Sequence, residues 1–106
     1  MAVEAPRYHG RGGGEAEACK AWRLDVADVE QLFQLSEHYD SNPYHLYYQV
    51  SCAITGQLFW DGRSWDFAID GGGTATWTSG SETRYLGCAA PACEPYVMLL
   101  TDMMSP

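Results

Sequence analysis

Residues 52–88 read CAITGQLFWDGRSWDFAIDGGGTATWTSGSETRYLGC, from Cys52 to Cys88. Short aromatic-rich runs alternate with glycine turns at close spacing, the pattern of an antiparallel meander in which each turn reverses the chain. Gly56-Gln57 suits a two-residue type II′ turn and Asp61-Gly62 a type I′ turn, which leaves Leu58–Trp60 as a short strand between them. Arg63–Ile69 then alternates, with Trp65, Phe67 and Ile69 set against Ser64, Asp66 and Ala68. Asp70–Gly73 reverses the chain, Thr74–Thr78 returns, Ser79-Gly80 turns again, and Thr83–Cys88 completes the run.

Upstream, Tyr44–Ile54 has a period of two. Leu46, Tyr48, Val50, Cys52 and Ile54 share one face, and His45, Tyr47, Gln49, Ser51 and Ala53 the other. The spacing predicts a long central strand. Before it, Val26, Val29, Leu32 or Phe33, Leu35 and Tyr39 recur at helical spacing, with Asp25 as N-cap and Asp28 favouring the positive helix end. A helix over 26–38 is expected to stop in Tyr39-Asp40-Ser41-Asn42-Pro43. Residues 1–20 carry Gly10 and Gly12–Gly14 and little apolar bulk, the composition of a disordered tail. Arg7, His9 and Arg11 in that tail could touch a polyanion, but a variable extension accounts for them more simply. Downstream, Pro91 and Pro95 break any ladder, and Tyr96–Thr101 is expected to form a last strand or a docked turn.

These elements define an α+β fold of two layers. One main helix, about 26–38, packs on an antiparallel meander of about five to six strands within 44–101, and residues 21–106 form one domain. Phe33, Leu35, Val50, Ile54, Phe67 and Trp77 are expected to dominate the core, each contributing roughly 1.5–3 kcal/mol when buried.

The chain of 106 residues carries a formal charge of −8. Residues 1–20 are neutral, since Glu4, Glu15 and Glu17 balance Arg7, Arg11 and Lys20, so the whole excess lies on the expected domain. Such a surface repels phosphate backbones and anionic membranes, and it favours encounter with a basic protein. The N-terminal stretch has no apolar segment of the kind a signal peptide carries, and a cytoplasmic location is expected. Cys19, Cys52, Cys88 and Cys93 fit neither paired C-x-x-C knuckles nor a thioredoxin motif. In a reducing compartment they are expected to be buried or free thiols; in an oxidising one, Cys88 with Cys93 is the plausible bridge.

Few residues suggest chemistry. The run Asp70–Thr74 (DGGGT) is followed by a strand pattern instead of a helix and has no lysine, so a turn is favoured over a phosphate cradle. Cys52, Cys88, Cys93, His38 and His45 could supply a zinc set, although Cys52 and Cys88 fall in phase with apolar strand positions. A Cys–His nucleophile pair has the same ingredients and no local motif. Asp61, Asp66 and Asp70 sit at turns, where aspartate is favoured for geometry alone. The aromatics are the better lead. His45, Tyr47, Trp60, Trp65 and Trp77 exceed what one sheet face needs, and Tyr47 with Trp60 could form a patch rimmed by Asp61, Asp66 and Arg63. The competing reading covers that face with residues 94–104.

The pattern C-x3-G-x-L-x3-GR-x-W-x-F-x-I-x2-GG-x3-W…YLGC resembles that of a group of small uncharacterised bacterial proteins. It is carried by Cys52, Gly56, Leu58, Gly62, Arg63, Trp65, Phe67, Ile69, Gly72, Gly73, Trp77, Tyr85, Gly87, Cys88 and Cys93, and spans about residues 22–95. The resemblance implies a helix followed by a β-meander and supplies no catalytic residues. The function expected from size, charge and aromatics is a non-catalytic protein-binding module, inhibitor-like or immunity-like. It would meet a basic protein partner through Asp28, Glu30 and Glu37 of the helix with Tyr47, Trp60 and Arg63. No cofactor, nucleic acid or membrane is expected. A Cys/His metal or thiol protein is the alternative, and a structural or antigenic protein the third.

Overall fold

The computed structural model describes residues 1–10 and 14–102. Among these residues the strands are β1 (Ala2–Val3), β2 (Arg7–Tyr8), β3 (Glu37–Tyr39), β4 (Cys52–Trp60), β5 (Arg63–Asp70), β6 (Thr74–Ser79) and β7 (Glu82–Gly87). The helices are α1 (Gly14–Ala21) and α2 (Val26–Leu35), with 3₁₀ turns at Tyr44–Leu46 and Pro91–Tyr96. One antiparallel sheet runs β1-β4-β5-β6-β7-β3, and β2 lies beside β1 on the same edge of β4. This is the α+β architecture expected, with the strand count close to five or six.

The meander is where local turn chemistry placed it. Asp61 (φ 54°) and Gly62 (φ 80°) both adopt the positive φ of a type I′ turn, and Trp60 faces Arg63 across it. Trp65, Phe67 and Ile69 point into the core with Cys52, Ile54, Leu58, Ala75, Trp77 and Leu86. Helix α2 covers that face with Val29 and Leu32, and its Phe33 ring meets Phe67 (5.4 Å) and Trp77 (5.1 Å) edge-on. Asp25 caps α2 in a full capping box. Its carboxylate accepts the Asp28 N–H (2.8 Å), while the Asp28 carboxylate accepts the Asp25 N–H (3.0 Å).

Three local expectations are corrected, and a fourth is decided between its alternatives. Gly56 is no turn but lies inside β4: a Cβ there would strike the Ala2 carbonyl of β1 and the Phe67 ring, so glycine permits close strand approach. The chain over 44–51 is not the start of a long strand; Leu46 N–H donates to Pro43 O (2.9 Å) in a 3₁₀ turn, and pairing begins only at Cys52. The helix ends at Leu35, where Ser36 turns extended and its hydroxyl bonds Leu32 O (2.7 Å); Glu37–Tyr39 then becomes an edge strand on β7. Of the two alternatives for residues 96–101, the strand is not formed and the docked turn is, with the Met98 and Leu99 N–H groups both reaching Gly71 O.

The expected tail is also corrected, because it is built into the sheet. Glu4 N–H donates to Thr55 O (2.8 Å) and His9 N–H to Ser51 O (2.9 Å), extending the β1 and β2 ladders along β4. Helix α1 follows, with the Glu15 carboxylate accepting the Ser51 N–H (2.9 Å), and a Cys19–Cys52 disulfide ties it to the first residue of β4. Backbone pairing and one covalent link order a segment whose composition offers few apolar contacts. Arg11 and Gly12–Gly13 lie outside the described residues, as does the segment 103–106.

Candidate functional site

All four cysteines are oxidised. Cys19 is bonded to Cys52 and Cys88 to Cys93, and each is at most 1% exposed. Buried or free thiols were expected for a reducing compartment, and Cys88–Cys93 was the bridge anticipated for an oxidising one; the cysteines are buried, but as disulfides. Cys19–Cys52 was not foreseen, because it joins the supposed tail to the core. The thiol and metal readings lose Cys52, Cys88 and Cys93, since a disulfide sulfur is no thiolate ligand. His38 lies exposed on edge strand β3, and His45 sits edge-on to the Tyr44 ring (5.7 Å). No three metal-ligating side chains converge among the described residues.

Tyr47 and Trp60 are not neighbours in one patch. Tyr47 is 6% exposed and shares a hydrogen bond with the Tyr39 hydroxyl (3.0 Å), which also donates to Glu37 (3.3 Å). Its ring occupies the space left by Gly87, where a Cβ would strike the Tyr47 hydroxyl. Burial, the Tyr39 hydroxyl and nearby Glu37 all push the Tyr47 phenol well above its ordinary value, so it stays protonated. Tyr47 and Glu37 are therefore parts of a structural network, and Asp28 belongs to the helix cap.

Trp60 is different. It ends β4, is 45% exposed, and is backed by the buried Trp65 (6.3 Å) and Trp77 (5.9 Å) rings. Arg84 lies over Trp60 at 5.0 Å and over Trp65 at 5.3 Å, while Arg63 lies over Trp65 at 4.4 Å. The Glu82 carboxylate bonds both guanidinium groups, contacting Arg63 and reaching Arg84 at 3.0 Å. Its hydrogen bond from Arg63, with the charges of both arginines, holds Glu82 below the usual glutamate range. The Trp65 indole N–H donates to Trp60 O (3.1 Å), fixing the hairpin end from behind. Trp60 is thus an exposed ring on a rigid mount.

A shallow groove of about 190 Å³ opens beside it, lined by Met1, Glu30, Phe33, Gln34, Leu58, Phe59, Trp60 and Trp77. Glu30 projects from α2 into this surface, while Phe59, 73% exposed, is the most exposed of the large apolar side chains described. Of the residues proposed from sequence, Trp60, Arg63 and Glu30 are brought to this end; Tyr47, Asp28 and Glu37 are not. Phe59 was missed, although its signal was present. In Leu58-Phe59-Trp60 the period of two forces Phe59 to the face opposite its neighbours. Arg84 and Glu82 were missed because only the β6–β7 hairpin carries them beside Trp60.

A groove on the sheet face away from α2 is lined by Glu4, Thr55, Gln57, Asp66, Ala68, Thr76 and Thr78 among others, and no residue of the described C-terminal segment lines it. Residues 94–96 lie on the helix side of the sheet, where the Trp22 indole N–H donates to Tyr96 O (3.1 Å), and beyond them Thr101 Oγ1 donates to Leu46 O (2.6 Å). Tyr44 and Tyr48 are also exposed, but Tyr44 stands against an exposed imidazole and not a buried ring. No family model, curated protein or solved structure matches this chain.

Proposed function

We propose that this chain is a binding protein that recognises a basic protein partner through the Trp60 end of its sheet, without a catalytic step of its own. One observation carries this reading. Trp60 and Phe59 are exposed on a hairpin whose supporting rings and arginines are already fixed, so docking orders little that is not ordered beforehand. Aromatic anchors on a rigid mount are the residues that dominate interfaces. The charge of −8 favours a basic partner and speeds encounter with it. Inhibitor-like and immunity-like proteins act by this kind of masking.

Two buried disulfides favour work in an oxidising compartment over the cytoplasm expected from the sequence. No helix among the described residues is long and apolar enough to cross a membrane.

The test is affinity capture from the native source at low salt with wild type and Trp60→Ala side by side. Any captured protein is then identified and titrated against both. A basic partner whose affinity falls with added salt and by roughly a hundredfold in Trp60→Ala is expected. Capture of no partner, or equal binding by both proteins, contradicts the reading.

A further inference from the structure

The sheet end that carries Trp60 also carries an open stretch of edge, on the side of the sheet opposite the N-terminal strands. Strand β7 pairs with β6 throughout, from Ser79↔Glu82 to Thr74↔Gly87. Its other edge is covered only in part. Strand β3 pairs with Tyr85, Leu86 and Gly87 and stops at Tyr39, because the chain turns away through residues 40–42 toward the 3₁₀ turn at Tyr44–Leu46. No described strand therefore lies beside residues 82–84. A cavity of about 330 Å³ occupies that place, bounded by residues 38–40 on one side and 82–85 on the other. Backbone parity decides what the edge offers. Gly80 (φ 58°) and Ser81 form a two-residue turn, so the flanking Ser79 and Glu82 exchange both of their backbone bonds. The N–H and C=O of the next residue, the exposed Thr83, then point away from β6 and into the open edge.

We infer that a basic partner docks here as an extended segment, running on from β3 along β7 and exchanging both backbone bonds with Thr83. This rests on the Trp60 end being the binding surface, and two observations tie the edge to it. The turns at Asp61-Gly62 and Gly80-Ser81 lie at the same end of the meander. Arg84, inside the open stretch, reaches over Trp60 at 5.0 Å. Main-chain bonds give such a segment its hold, and its alternate side chains give selectivity. Opposite Thr83 the segment extends the cross-strand row of Thr78 and Thr83, which suits a β-branched residue. Charge sets the rest. Glu82 bonds both Arg63 and Arg84, so neither guanidinium is free. Asp40 is exposed where β3 stops, and its carboxylate has no partner among the described residues. A lysine or arginine of the segment supplies one, in keeping with the charge of −8 on the chain.

The experiment selects short random linear peptides on the disulfide-intact protein and follows amide exchange by NMR with a selected peptide bound. Peptides carrying a lysine or arginine beside β-branched residues are expected, and binding should slow exchange at the Thr83 amide. Thr83→Pro should abolish binding, because it removes the donor from the open edge and leaves the β6 ladder its bonds. Thr83→Val keeps the donor and should bind as wild type does. Asp40→Asn should weaken binding about threefold and Trp60→Ala about tenfold. Unchanged protection at Leu86, which pairs with Ala75, shows that the sheet of Thr83→Pro is intact. Slowed exchange at Thr83 in the wild type tests the same point without a substitution. Peptides that need Trp60 but bind Thr83→Pro normally overturn strand addition and leave the Trp60 surface standing. Peptides that need Thr83 but not Trp60 uphold strand addition and overturn the surface on which it rests. Peptides indifferent to both substitutions, or no peptides at all, overturn both. Self-association lost in Thr83→Pro would make the occupant a second copy and also overturn the proposal.

Discussion

Asp70 shows how a single side chain sets local order and pH response. It ends β5, and its carboxylate accepts the N–H groups of Gly72 (2.8 Å) and Val50 (3.4 Å), tying the glycine turn to the chain that precedes β4. Burial raises its pKa above the ordinary value of 3.8, against the lowering effect of those two N–H groups. The folded chain therefore holds a proton that the unfolded chain has already lost, and stability falls as pH rises through that window. An asparagine keeps the acceptor oxygen and has no charge to desolvate. Asp70→Asn is expected to raise Tm at about pH 7 and to match wild type at about pH 3, where both forms are neutral. Calorimetry at the two pH values checks this; an equal loss of Tm at both would contradict it. Asp70 was legible as a turn residue from the DGGG run. Its contact with Val50 was not, because that stretch reads as strand.

Among the elements, those set by neighbouring residues were readable and those set by distant ones were not. Asp61-Gly62, the alternation of Trp65, Phe67 and Ile69, and the Asp25 cap are consequences of adjacent residues, and the sequence predicts each. Gly56 was misread because glycine serves a tight turn or a close approach equally well, and only β1 distinguishes them. Glu37 and His38 read as helix because the pairing partners of Glu37–Tyr39, Tyr85–Gly87, lie far along the chain. The N-terminal segment was misread for the same reason, since Cys19 gains meaning only beside Cys52. This link closes a long loop, with 33 residues of separation against five for Cys88–Cys93. Chain entropy then assigns it about 3.8 kcal/mol and the shorter bridge about 2.2 kcal/mol. Replacing Cys19 and Cys52 together by alanine is expected to cost more in urea unfolding than replacing Cys88 and Cys93 together, and to release β1 and β2 to fast amide exchange. Equal costs, or unchanged protection at Glu4 and His9, whose N–H groups bond Thr55 O and Ser51 O, would contradict the role given to the N-terminal segment. Thiol titration of the unfolded wild type without reductant should find no reactive sulfur.

On the scale of the whole molecule, the two layers were legible while the placement of the candidate site was only half so. Composition indicated an aromatic interaction surface on an acidic domain. Which aromatics form it depended on the sheet register, which buries Tyr47 at Gly87 and leaves Trp60 and Phe59 at the hairpin end. The same register delivers Arg84 and Glu82 to Trp60 from a neighbouring hairpin, something no local pattern announces. Of the four tryptophans, Trp22, Trp65 and Trp77 are at most 8% exposed, so collisional quenching of fluorescence reports chiefly on Trp60. Acrylamide quenching of the protein, free and saturated with its captured partner, therefore reads the proposed surface directly. The account predicts that binding shields the quenchable fraction and that Trp60→Phe removes it from the free protein. A saturated complex in which Trp60 remains as quenchable as before would place the interface elsewhere and contradict the account.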